Sequence, residues 1–360
     1  DIAFQAVSAM PVDPHIKDRS RAQHKIVTAC LKVDQPQLAL EYANQIGNWR
    51  RGAALGDITF YAAKNGQTAD VQQYLDEAAM LARSQGLAKW RRDRIRAKIA
   101  MTYTWFGQTE LATQFQNDLE TAEAGKVASV KAMQGGEDEF EEQLIALESS
   151  AASGDFDLVS NALKACVQLF DRYYDNKEHR RRAEQMVKNA WGPLPIMIRI
   201  ELLADLADAA LNHDDNAKAL ELVNEARSIL DSHEWTAEHE VPMLARISEL
   251  RYRAGDKQHA RREVDSALEL FNEQRETIIN MFRAESLCPI AEAYDAMEDT
   301  QASLSVYEKA LNEAVVNPNS RPRAEDLAAT CSSMAVHGIE PTERLWTRIH
   351  DTFEELGQPW

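Results

Sequence analysis

The chain has 360 residues, of which 40 are Lys or Arg and 58 are Asp or Glu, a net charge of −18. That balance argues against nucleic acid as the main partner, because phosphate binding needs a basic surface. Hydrophobic residues make up 44%, too many for a disordered chain, and only 14 Gly and 11 Pro interrupt it, which favours long helices over strands and turns.

Charge is unevenly spread. Residues 1–136 hold 17 basic and 14 acidic residues, a balance of +3, while residues 137–360 hold 23 and 44, a balance of −21. The opening DIAFQAVSAM carries no basic leader and no long apolar run, so an intact signal peptide is not expected. No stretch approaches the ~18 uncharged apolar residues of a membrane span. FQAVSAM followed by PVDP reads as the tail of a helix and a linker, as if an array began upstream.

From there the chain reads as repeated pairs of amphipathic helices joined by tight breaks. The break residues are Asp34, Gly66, Gly107, Gly154, Asp214, Gly255, Glu298 and Gly338, spaced by 32, 41, 47, 60, 41, 43 and 40. Spacings near forty suit stacked helical hairpins. Eight positions before the break stand Ile26, Ile58, Ile99, Ala146, Leu206, Ile247, Ile290 and Thr330; twelve after it stand Ile46, Ala78, Leu119, Cys166, Ala226, Ala267 and Ala310. Glycine at a break can take the left-handed conformation that ends a helix. A following Asp155, Asp256 or Thr109 is expected to cap the next one. In the eighth unit the second stripe slips to Leu345, Trp346 and Ile349, as expected of a terminal repeat with one face in water.

Two stretches break the rhythm. Residues 122–136 read as a loose, Gly-containing connection, and 175–195 as a short basic helix with a Pro-bracketed link. Both are candidate bends.

The segment IAEAYDAMEDTQASLSVYEKAL resembles a tetratricopeptide repeat, through Ile290, Ala291, Tyr294, Tyr307 and Ala310. The segment around Ile99, Ala100, Tyr103, Gly107 and Ala112 is similar, as are Leu206, Ala207, Ala219 and Ala226. The early Trp of that family is missing and its repeat-ending Pro is mostly absent. The resemblance implies an all-α fold: about eight degenerate units in a right-handed superhelix of stacked antiparallel hairpins, one array over residues 1–360. It also implies that first helices line a concave groove. That surface would carry Arg21, Lys32, Phe60, Lys64, Arg94 and Trp105 early in the chain. Later it would carry Glu141, Glu148, Glu201, Asp208, Glu249, Glu285, Glu292, Asp295 and Glu325. A groove running from basic to acidic suits an extended peptide of matching charge. The alternative is a solvated face kept soluble by charge.

Fifteen positions before the break, Arg19, Arg51, Arg92, Arg199, Arg283 and Arg323 recur. They read either as a ladder gripping an acidic ligand or as structural guanidiniums paired with carboxylates of the adjoining repeat. The run Arg180–Arg182 reads as a solvated helix end, or as a contact for an acidic partner, another copy of this chain included. His233 and His239 in HEWTAEHE are six apart, wrong for the paired ligands of a helical zinc site, so no metal is expected. Cys30, Cys166, Cys288 and Cys331 lie far apart with no CxxC, which fits isolated thiols in a reducing cytoplasm. No phosphate loop, dinucleotide fingerprint or nucleophile elbow is present, so neither catalysis nor a cofactor is expected. The leading expectation is a non-enzymatic scaffold for a protein or peptide. The alternative is a helical-repeat domain of a larger enzyme or sensor.

Overall fold

The computed structural model describes residues 1–357 and 360. Its elements, in chain order, begin with α1 (Ile2–Ser8), α2 (Val12–Lys32), α3 (Pro36–Asn44), α4 (Arg50–Lys64), α5 (Val71–Ala82), α6 (Lys89–Trp105) and α7 (Thr109–Gln116). Then come α8 (Thr121–Ala132), α9 (Phe140–Ala151), α10 (Phe156–Arg172), α11 (Lys177–Ala190), α12 (Ile196–Asn212) and α13 (Asn216–Asp231). The last are α14 (Ala237–Arg253), α15 (Lys257–Gln274), α16 (Asn280–Ala296), α17 (Thr300–Val316), α18 (Ser320–Val336) and α19 (Glu343–Glu354). A 3-10 turn at Glu137–Glu139 leads into α9, and there is no strand among the described residues. The fold is all-α, as the periodicity requires.

All eight break residues have positive φ, from 55° at Asp34 to 96° at Gly255. In six of them the amide after the break donates to the carbonyl four residues before it, at 2.9–3.1 Å: Gln67 to Ala62, Gln108 to Tyr103, Asp215 to Ala210, Asp256 to Arg251, Asp299 to Tyr294 and Ile339 to Met334. The break residue's own amide donates to the carbonyl three before it in the same six. This pair of bonds satisfies carbonyls that the helix end would leave open and turns the chain back on itself. Capping follows the expectation at Asp155, which accepts from the amides of Asp157 and Leu158. It fails at Asp256, whose carboxylate is taken by His259 and Arg251, and at Thr109, which lies one residue inside α7. Asp215 and Asp299 are caps instead, accepting from the amides of Lys218 and Ala302.

The chain packs as two compact units, Asp34–Ala209 and a second built from Asp1–Val33 with Ala210–Trp360. In the first, α4 packs on α6, α6 on α8 and α8 on α10, while α5, α7, α9 and α11 pack on their even-numbered partners. In the second, α14 packs on α16, α16 on α18, and α18 on both α1 and α2. In the first unit α4, α6, α8 and α10 therefore form one layer, and in the second α14, α16, α18 and α2 do. The last hairpin does not face water on its open side. Its first helix is covered by α1, whose Phe4, Ala6 and Val7 are buried, and by α2 through the Arg21–Glu325 pair at 3.0 Å. The opening residues thus form a helix and a short connection at residues 9–11, as expected, and that helix packs on α18.

One sequence expectation is corrected in detail. Residues 122–136 are not a loose connection, since most of them form α8, which packs between α6 and α10. With α8 and α11 both present, the break at Gly154 joins α9 to α10 and leads from an odd helix to an even one. The spacings of 47 and 60 each hide one extra helix. Burial records the slip: Ala146 is exposed, while the other seven residues eight before a break are buried. Glu141 and Glu148 consequently sit on α9, outside the even layer.

Close approach within the layer depends on small residues. A Cβ at Gly56 of α4 would stand 2.6 Å from the Lys98 Cβ of α6, and one at Gly125 of α8 would stand 2.7 Å from the Leu158 side chain of α10. Gly56→Ala should therefore destabilise the protein by about 1–2 kcal/mol despite alanine's better helix propensity. Glu298, a non-glycine at φ 62°, gives the opposite expectation. Glu298→Gly should stabilise by roughly 0.5–1 kcal/mol, since left-handed strain outweighs the entropy cost of glycine. Denaturant unfolding of both variants reads the two signs, and a stabilised Gly56→Ala would contradict the packing.

Candidate binding faces on the even-numbered helices

Three of the recurring arginines bond the backbone of the connection before their own helix. Arg19 donates to the Met10 carbonyl at 2.7 Å, Arg199 to Leu194 and Gly192 at 2.9 and 2.7 Å, and Arg283 to Ile278 at 2.9 Å. Each pins the connection that precedes its own helix. Arg51 pairs with Glu77 of its own hairpin, and Arg283 lies 3.6 Å from Glu276 in the preceding connection and 3.9 Å from Glu313 of its own hairpin. Arg92 approaches Asp93 and Arg323 donates to Ser320. The Arg180–Arg182 run is likewise engaged: Arg181 binds Glu178, Arg182 binds Glu141 and Arg180 lies over the Tyr174 ring.

In the unit spanning residues 34–209, the exposed face of the even layer opens into a hollow of about 170 Å³. Four helices and the residue after α8 supply its wall: Phe60 and Lys64 from α4, Met101 from α6, Lys126 and Ser129 from α8 with Met133 just beyond it, and Asn161, Lys164 and Gln168 from α10. Phe60 and Trp105 meet edge to face with centroids 5.9 Å apart. The Lys64 ammonium stands 6.0 and 5.9 Å from the two ring centres, close enough for a cation–π contact. Arg94 and Lys126 share buried Glu123, at 3.5 and 2.8 Å. Glu201 on α12 has its carboxyl raised chiefly by burial, against the pull of Lys164. Asp208 is half-buried farther along α12.

Thus Phe60, Lys64, Trp105 and Arg94 share one face of this unit. Sequence reasoning missed Met101, Lys126, Met133, Asn161 and Lys164 beside them. A fourth unit aligned on Gly154 falls on α9 and α10, which leaves α8 out and inverts α10. The signal available was Val127 and Val130, three apart on a segment read as loop; both are buried.

In the other unit, Arg21 is held by Asp18 and Glu325 at 2.9 and 3.0 Å, and Lys32 is exposed at the end of α2. Glu249 is buried between Arg246 and Arg253, at 2.5 and 3.4 Å, and does not stand open to a ligand. Glu292 accepts from the Ser333 hydroxyl at 2.5 Å, and Ser333 in turn meets the Tyr307 hydroxyl at 2.8 Å. Asp295 is half-buried one turn away, and Glu285 is exposed. Burial lifts the Cys166 thiol to about 12 and Cys288 higher still, so neither thiol is an available nucleophile.

Among the described residues no cluster of three His, Cys, Asp or Glu could hold a metal ion, and no helix is long and apolar enough to cross a membrane.

Asp326 of α18 is 5% exposed, and its carboxyl is pushed up to about 8, first by burial and then by Glu285 and Glu325, while Asn317 pulls it down. An unfolded Asp titrates near ~4, so between ~4 and ~8 the unfolded chain has lost a proton that the folded protein keeps. Stability should therefore fall as pH rises across that window and level off above it. Asp326→Asn should remove this slope. Denaturation at pH 5 and pH 8 checks it, and equal losses in both proteins would contradict the assignment.

No protein-family model and no curated protein matches this chain. Among solved structures it is similar to a circular tandem repeat protein with novel repeat topology and enhanced subunit contact surfaces. The identity is 13%, the coverage 99% of this chain and 93% of that one, and the TM-score 0.30. The description of the chain as a helical repeat protein rests on its own hairpins and their recurring breaks.

Proposed function

We propose that this protein is a non-enzymatic scaffold of tetratricopeptide-like hairpins, which binds a protein or peptide across the even-numbered helices of residues 34–209. One observation carries the reading: four successive even helices contribute to one shallow hollow that joins a Phe60–Trp105 aromatic platform to the ammonium groups of Lys64, Lys126 and Lys164. A hollow of about 170 Å³ is small for a drug-sized ligand but suits one anchoring side chain of a longer segment. Aromatic anchors flanked by flexible methionines, here Met101 and Met133, are the usual makings of a contact surface that tolerates varied apolar residues. The lysines favour a segment with acidic residues next to its apolar anchor, and their main effect is on approach and register. The resemblance of the repeats to tetratricopeptide units supports the same surface, since first helices line the groove in that family.

The test is a peptide array probed with the intact protein, followed by affinity measurement on the best segments. Trp105→Ala should weaken binding by at least tenfold, Lys64→Glu with Lys164→Glu should abolish selection of acidic segments, and 0.5 M salt should weaken binding of the unmodified protein. An array on which acidic–apolar segments are not enriched, or on which Trp105→Ala changes nothing, would overturn the proposal.

A further inference from the structure

A second hollow, of about 290 Å³, lies in the unit built from both chain ends, and its wall comes from α2, α16 and α18. Its lining has three chemically distinct parts. Met281 and Phe282 at the start of α16 are 39% and 38% exposed, unusually open for their size, and together with Ile26 they form the apolar wall. Asp326 lies within the wall, almost wholly buried. Its Oδ2 accepts from the Asn317 amide at 2.8 Å, while its Oδ1 has no hydrogen-bond partner among the described residues. The Ser332 hydroxyl, also in the lining, is buried and unpartnered. Glu285 adds a carboxylate with no ion pair among the described residues.

Once Asp326 is ionised, its Oδ1 and the Glu285 carboxylate are acceptors with no donor among the described residues, and the Ser332 hydroxyl is a buried group with no partner. The buried Ser332 hydroxyl without a partner costs free energy that an incoming donor would recover. Two cations also border the hollow. Arg21 is already spent on Asp18 and Glu325, and Lys25 is exposed to solvent.

We infer that this hollow is a binding site for an organic cation, an ammonium or guanidinium group on an apolar stem. The head would donate to Asp326 Oδ1 and Ser332 Oγ with Glu285 beside it, and the stem would lie against Met281 and Phe282. The site involves different helices from the proposed peptide face on residues 34–209, so either can fail without the other.

The titratable groups acting on Asp326 are Glu285 and the Cys288 thiol on α16 and Glu325 on α18, with neutral Asn317 between α17 and α18, while Arg21 and Lys25 of α2 line the same hollow. With its carboxyl pushed up to about 8, Asp326 is mostly protonated at neutral pH and must release that proton to take a cation. The ionised fraction rises about tenfold from pH 7 to pH 9, so affinity should rise by about the same factor.

Hexylammonium is the first probe, titrated against the intact protein and followed through the Met281 methyl resonance, with hexanol and hexanoate as neutral and anionic controls. A capped tripeptide with a central lysine forms a second arm, in which tighter binding than hexylammonium points to a partner's side chain and weaker binding to a free amine. The expected result is saturable binding of hexylammonium, about tenfold tighter at pH 9 than at pH 7, at least tenfold tighter than hexanol, and lost in Asp326→Asn. Glu285→Gln, at an exposed position that should leave the fold intact, should weaken binding at least threefold. Equal binding of hexanol, preference for hexanoate, no shift of Met281 with any cation, or an unaffected Glu285→Gln would each overturn the inference.

Discussion

A helix that ends on a left-handed residue governs this structure. Eight such residues, from Asp34 to Gly338, reverse the chain, and in six of them the two carbonyl-capping bonds form with near-identical geometry. The reversal lays each helix antiparallel to the last. Every second helix then meets the next of its own kind, and burial of the resulting stripes supplies the core. A hairpin alone could not hide both of its apolar stripes, so stability comes from neighbour on neighbour.

The same constraint produces function-bearing surfaces. Even-numbered helices face each other closely because residues such as Gly52, Gly56 and Gly125 leave no Cβ between them. Close packing brings side chains from four helices onto one face, so Phe60, Met101, Lys126 and Lys164, more than a hundred residues apart at the extremes, line a single hollow. Residues that look available in sequence are spent elsewhere. Arg19, Arg199 and Arg283 tie down connections, Glu249 is locked between two arginines, and Glu292 completes a Tyr307–Ser333 chain.

The breaks and the buried stripe were legible because they depend on local chemistry: a residue able to hold positive φ, and an apolar residue two turns earlier. What was not legible is which helices share a layer. A single added helix changes the parity of all that follows until another restores it, and α8 and α11 do this in succession. α8 carries few large apolar residues, since its contacts rely on Gly125, Val127 and Val130. A weak stripe of that kind reads as a loop. Nor could sequence show that α1 and α2 would cover α18, because that contact joins segments some three hundred residues apart, as the Arg21–Glu325 pair does.

The proposed peptide face on residues 34–209 depends on α4, α6, α8 and α10 forming one layer, with α8 seated between α6 and α10. Methyl nuclear Overhauser contacts test it most directly. Val127 should show cross-peaks to Ala97 and Ala100, which share its buried cluster, and the Leu158 methyls should reach the Gly125 α-protons. Cross-peaks from Leu144 or Leu147 of α9 to Ala97 and Ala100, in place of those from Val127, would return the fourth unit to its sequence-based register and contradict the account.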